Sequence, residues 1–186
     1  MKRSILMEAQ KNQKEILDFF NQGLSLLEEN LCGLTENELN YIPSNGGWTI
    51  RQIVHHIADG DDLWKTAIKM ALGNEEAEFC LNWYQTLSQI EWGKKWNYEK
   101  RSITKSLNLF KANRELIKEL LEYAPNSWKR KIKFLERDGK IEVLPIGFIV
   151  EMQAEHAIHH INRIIAIRKE ITNKLANNST QSHLNN

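Results

Sequence analysis

The sequence predicts an all-α protein: a four-helix bundle with a long loop between helices 2 and 3 and a small β-hairpin before helix 4. Three observations lead there. Apolar residues recur at steps of three and four in four separate stretches, the repeat of core-facing helical stripes. Only three prolines occur in 186 residues, so long helices are permitted. Histidines stand inside two of the stripes, which suits bundles whose ligand sites lie between facing helices.

Ile5 to Leu31 reads as the first helix, with Ala9, Ile16, Phe20, Leu24, Leu27 and Leu31 inward and Gly33 as its C-cap. Thr35-Glu-Asn-Glu38 is a capping box that opens a short turn through Asn40. Pro43 to Gly47 is a loop by composition. The second helix spans Trp48 to Leu72, with Thr49 as N-cap and Gly73-Asn74 as the stop. Its inner stripe runs through Ile53, His56, Gly60, Leu63 and Ala67.

Residues 74–101 hold Phe79, Trp83, Tyr84, Trp92, Trp96 and Tyr98 without a clean period. A connection this long crosses an end of the core, covers a site, or offers tryptophans to a dimer face. The third helix is expected from Ser102 to Tyr123, with Ile103, Leu107, Phe110, Ile117 and Leu121 inward and Arg114 at or beside that stripe. Alternation over Lys131–Leu135 and Lys140–Leu144 around Asp138-Gly139 predicts a hairpin. Pro145 then opens the fourth helix, Ile146 to Leu175. The chain divides into one domain, 1–176, and a polar tail, 177–186, expected to be disordered.

A formal net charge of +1 gives no global field for nucleic acid or an anionic membrane, and the basic run 129–131 is short. Cys32 and Cys80 are far apart and form no CxxC, which points to a reducing compartment. The first fifteen residues contain no apolar h-region, and no apolar run approaches the length of a membrane span. A cytoplasmic protein is expected.

Five of the six histidines fall in two clusters, His55-His56 and His156, His159, His160. In the fourth helix Ile149, Met152, His156, His160, Ile164, Ile167 and Ile171 share one stripe, while His159 falls off it beside Glu155, Asn162 and Arg163. His56 lies on the inner stripe of the second helix, and His55 points toward a flank carrying Asp59 and Asp62. A register error of one residue would exchange the members of a doublet. Three neutral imidazoles facing one interior are a donor set for Zn²⁺, and a reasonable one for Ni²⁺ or Fe²⁺. The plainer alternative is a set of hydrogen-bonded core histidines, since HxxxH alone is a weak pattern. No HExxH is present, and Glu151 and Glu155 lie off the inner stripe.

The segment Trp48-Thr-Ile-Arg-Gln-Ile-Val-His-His-Ile-Ala-Asp59 resembles the second-helix signature of the DinB/YfiT-like superfamily, and His156-Ala-Ile-His-His160 matches its HxxxH. With the order of helices and loops, the likeness covers roughly residues 10–170. It implies a four-helix bundle whose divalent metal, zinc or nickel, is held by His56, His156 and His160. It further implies frequent homodimers and a small-molecule substrate. Among such proteins are metal-dependent hydrolases, transferases and isomerases that use a low-molecular-weight thiol such as bacillithiol or mycothiol, and proteins with no known activity.

Other candidates divide between functional and structural roles. Arg114 holds either a substrate carboxylate or an internal acid, the latter favoured about two to one. Asp59 orients a histidine or is a solvated carboxylate. Cys80 is expected to be a small buried hydrophobe. Two functions follow: a metal-dependent enzyme activating water or a thiol, and a non-catalytic binding or dimerisation bundle whose metal is structural or absent.

Overall fold

A computed structural model describes residues 12–184. Helix α1 runs Gln13–Leu31 and α2 Glu36–Leu39, followed by α3 Ile50–Gly73. The 74–101 connection holds strand β1, Glu78–Cys80, a 3₁₀ turn at Tyr84–Thr86, and α4, Gln89–Lys95. Helix α5 spans Ile103–Tyr123, β2 Lys131–Leu135, β3 Ile141–Pro145, and α6 Ile146–Leu184. The four long helices α1, α3, α5 and α6 form the bundle, α1 packing chiefly on α6 and α3 on both α5 and α6.

Capping chemistry sets most boundaries. Asn12, Thr35, Thr49 and Ser88 each accept from the backbone N–H three residues on, and the Glu or Gln there returns a bond to the cap. Asn12 places the start of α1 at Gln13 rather than Ile5; residues 5–11, with Ala9, lie outside the described residues. Gly33, at φ +75°, supplies the left-handed residue just past α1. Helix α6 continues to Leu184, beyond the boundary expected at 176. No proline or glycine interrupts the polar segment, and propagation needs only one bond per added residue.

The 74–101 connection departs most from expectation, because it is folded. β1 pairs in parallel with β2, Phe79 opposite Phe134, and adds a third strand to the predicted β2–β3 hairpin. Phe79, Phe134 and Trp64 of α3 pack together with centroids 5.4–6.2 Å apart. Strand alternation that turns Phe79 inward turns Cys80 out, so Cys80 is exposed, not buried. Tyr84 stacks on Trp92 and Trp96 at interplanar angles of 16° and 15°.

The interior consists of two apolar clusters along the bundle axis with a polar layer between them. One cluster, next to the sheet, takes Phe20, Ala67, Ile68, Ile117, Ile149 and Val150. The other takes Leu27, Ile53, Ile57, Phe110, Ile161 and Ile164. Between these sets each long helix contributes small or polar residues to the interior: Gly23 on α1, Gly60 and Asp61 on α3, Asn113 and Arg114 on α5, Gln153 and His156 on α6. Among the described residues no helix is long and apolar enough to cross a membrane.

Candidate metal centre

The polar layer is anchored by Arg114, which is 1% exposed. Its Nε donates to Asp61 Oδ2 at 2.7 Å and its Nη2 to the Gln153 carbonyl at 3.0 Å, while Nη1 donates to the Phe20 carbonyl. The guanidinium also sits over the rings of Phe20 and Phe110, at 4.1 and 4.4 Å. One side chain thus ties α5 to each of the other three bundle helices. Gly23 makes the room, since a Cβ there would lie 2.9 Å from Nη1. Burial pushes the Asp61 carboxyl above its ordinary value, and the Arg114 charge and hydrogen bond offset only part of that rise. Arg114 is therefore the internal ion pair and not a contact for substrate: its guanidinium is enclosed, with Asp61 as its carboxylate.

Beside this anchor lie the three histidines. His56 comes from α3, His156 and His160 from successive turns of α6, and one ligand atom from each lies within 4.8 Å of the others. The rings meet edge to face: centroids are 5.0 Å apart for His56–His156, 4.6 Å for His56–His160 and 4.7 Å for His156–His160. Nε2 of His156 faces Nε2 of His56 at 3.1 Å. Two nitrogens each about 2.0–2.1 Å from one tetrahedral zinc stand about 3.3 Å apart, so this spacing fits a shared cation. The Nδ1 atoms of all three are buried with no hydrogen-bond partner, so no protein acceptor anchors the rings. Gly60 lets His156 approach α3: a Cβ at Gly60 would meet His156 Cε1 at 3.2 Å. Gly60→Ala is expected to displace that ring and weaken Zn²⁺ affinity about 10–100-fold, read by competition with a chelating dye.

His159 is exposed and outside the cluster, as its place off the stripe predicts. His55 differs from expectation. It is 0% exposed, not on a solvated flank, because α3 buries a wide arc against α5. Its Nε2–H donates to the Arg101 carbonyl at 3.2 Å, leaving Nδ1 to accept from Ser106 Oγ at 2.7 Å. His55 thus pins the start of α5. Asp59 accepts from the Tyr98 hydroxyl and neither orients a histidine nor stands solvated alone. Asp61 and Gln153 belong to the site and escaped the sequence reading. The signal for Asp61 was present: Ile50, Ile53 and Ile57 lead to it at steps of three and four.

Desolvation takes His55 to about 4, and together with the charges of His156 and Arg163 takes His56 to about 3. Desolvation and the Arg114 charge bring His156 to about 4; desolvation and the neighbouring histidines bring His160 to about 2. All four are neutral at pH 7, the state in which an imidazole nitrogen can ligate. In the unfolded chain each would titrate near 6.5. Below that pH the unfolded state takes up protons first, so stability falls as pH drops. Metal-free protein is expected to hold a constant melting temperature from pH 8 to about 6.5, then lose it steadily toward pH 4, followed by circular dichroism.

Fold and site together define a helical bundle with a three-histidine cluster inside it. The chain belongs to the DinB superfamily, whose sequence profile matches residues 20–164. Relatives provisionally named metal-dependent hydrolases include one from Oceanobacillus iheyensis, 28% identical over 145 residues, covering 77% of this chain and 78% of that protein. Another, from Geobacillus thermodenitrificans, is 24% identical over 139 residues, covering 75% and 74%. Among solved structures, YfiT from Bacillus subtilis, described as a probable metal-dependent hydrolase with an unusual four-helix bundle topology, superposes with a TM-score of 0.74. Its identity is 20%, over 91% of this chain and 94% of that one. The mycothiol-dependent maleylpyruvate isomerase superposes at 0.59 with 15% identity, over 81% and 60%.

Proposed function

We propose that this chain is a metal-dependent enzyme of the hydrolase type, with a divalent cation, zinc or nickel, held by His56, His156 and His160. The observation that carries the reading is the meeting of three neutral ring nitrogens from two helices within 4.8 Å, beside an open pocket. A cation there would supply Lewis acidity, lowering the pKa of a coordinated water or thiol into the neutral range. The chain's own part is to hold the rings and limit water. Gly60 admits His156, the Arg114–Asp61 pair fixes α3 against α6, and the folded 74–101 segment places Leu81 and Tyr84 over the pocket. The names carried by the two curated relatives support hydrolysis.

A second reading keeps the same ligands and replaces water by a low-molecular-weight thiol such as bacillithiol. It is favoured by the fold shared with a mycothiol-dependent enzyme. A homodimer in a reducing compartment completes the proposal. The test is elemental analysis of protein purified without a histidine tag, followed by turnover assays with ester substrates and with bacillithiol plus an electrophile. One equivalent of metal and chelator-sensitive turnover are expected, and the assay that shows it selects between water and thiol. Metal that raises the melting temperature without supporting turnover would replace the enzyme by a bundle with a structural metal. Absence of metal uptake would defeat both.

A further inference from the structure

A cavity of about 170 Å³ opens directly on His56 and His156. Its walls are apolar: Leu63, Trp64, Leu81, Tyr84 and Met152. Apart from the two histidines its remaining polar side chains are amides, Gln89 and Gln153, and none of the lining residues is Asp, Glu, Lys or Arg. The charges nearby are turned elsewhere. Asp61 and Arg114 neutralise one another behind Gln153, while Asp59, Asp62 and Arg101 line a different hollow that shares Leu63.

The polar atoms of the walls are also committed. In its hydrogen-bonding orientation the Gln153 amide donates to Asp61 Oδ1 at 2.7 Å and accepts from Trp64 Nε1 at 3.3 Å. The Tyr84 hydroxyl donates to Gln89 Oε1 at 2.5 Å, and its ring is fixed by the stack with Trp92 and Trp96. What remains toward a ligand is a preformed apolar surface, the N–H groups of Gln89 and, at one end, the imidazole edges of His56 and His156. In the metal-free protein a carboxylate, phosphate or ammonium placed against these walls would lose its hydration and find no opposite charge among them. A 150 Å³ apolar cavity is enough for benzene, so the space here takes one ring or a short branched chain.

We propose that this cavity is the substrate pocket and selects a compact, uncharged, largely apolar group, of the size of a single aromatic ring, carrying one hydrogen-bond-accepting atom. The assignment rests on the three-histidine reading for its role, but its binding chemistry is separable. The full chain carrying ¹³C-methyl methionine has four such methyls, and loss of one resonance in Met152→Leu identifies the pocket methyl. Metal-free protein is titrated with benzyl alcohol, benzoate and benzylammonium, three probes of one shape.

Benzyl alcohol is expected to move the Met152 methyl saturably, with the two ions at least about tenfold weaker. Leu63→Phe, which fills the space, should abolish that shift. Leu63→Ala, which enlarges it, should keep the preference for the uncharged probe. Ions that bind as well as the alcohol would overturn the proposal. So would a Met152 methyl that no probe moves, in protein that takes up zinc; the metal reading would then survive alone. Neutral probes that bind protein unable to take up zinc would support the pocket and remove the metal.

Discussion

Replacing Arg114 by methionine is expected to cost about 3–5 kcal/mol, because it strands the Asp61 carboxylate in the bundle interior. For a domain of ordinary stability, about 5–15 kcal/mol, that is a large share of the total. Removing the guanidinium also releases the carbonyls of Phe20 and Gln153, each then a buried acceptor without a donor. The converse change, Asp61→Leu, strands the cation and should cost about as much. The double variant leaves no buried charge. It should recover much of the loss, so that the two single effects fail to add by well over 1 kcal/mol. Urea unfolding of the four proteins in a cycle measures this. An Arg114→Met loss below about 1 kcal/mol would mean that water reaches the pair, contrary to its burial.

The second large effect concerns the metal. His156→Ala removes one of the two facing Nε2 atoms and is expected to lower divalent-metal affinity by more than about 100-fold. Turnover should fall with it. His159→Ala, one turn position away but exposed, should leave affinity unchanged. His55→Ala separates the members of the other doublet: it should lower stability through lost bonds to Ser106 and Arg101 while metal stoichiometry stays the same. Isothermal titration with Zn²⁺ reads all three. Metal retained at full affinity by His156→Ala would place the ligands elsewhere and remove the proposed chemistry with them.

Much of this was legible in the residues. A stripe in which His156 and His160 replace two hydrophobes at a four-residue step reports a helix face directly, and the structure puts both rings in the interior. Thr49, Ser102 and the Asp138-Gly139 turn marked their boundaries through local bonds of two or three residues' reach. Periodicity read His55 wrongly because it supposes one buried stripe, whereas α3 packs against two helices and buries most of its first two turns. The three-residue β1 was not legible because its partner strand lies over fifty residues away and its own pattern is too short to mark a period.

The chain by itself determined four amphipathic helices, a hairpin and the presence of histidines on two inward faces, since each follows from residues a few positions apart. Only the tertiary structure decided what those faces meet. Arg114 finds Asp61 across 53 residues, and His56 meets His156 across 100. Such pairings are chosen by which buried polar groups must satisfy one another once the helices pack, a condition that no local repeat encodes.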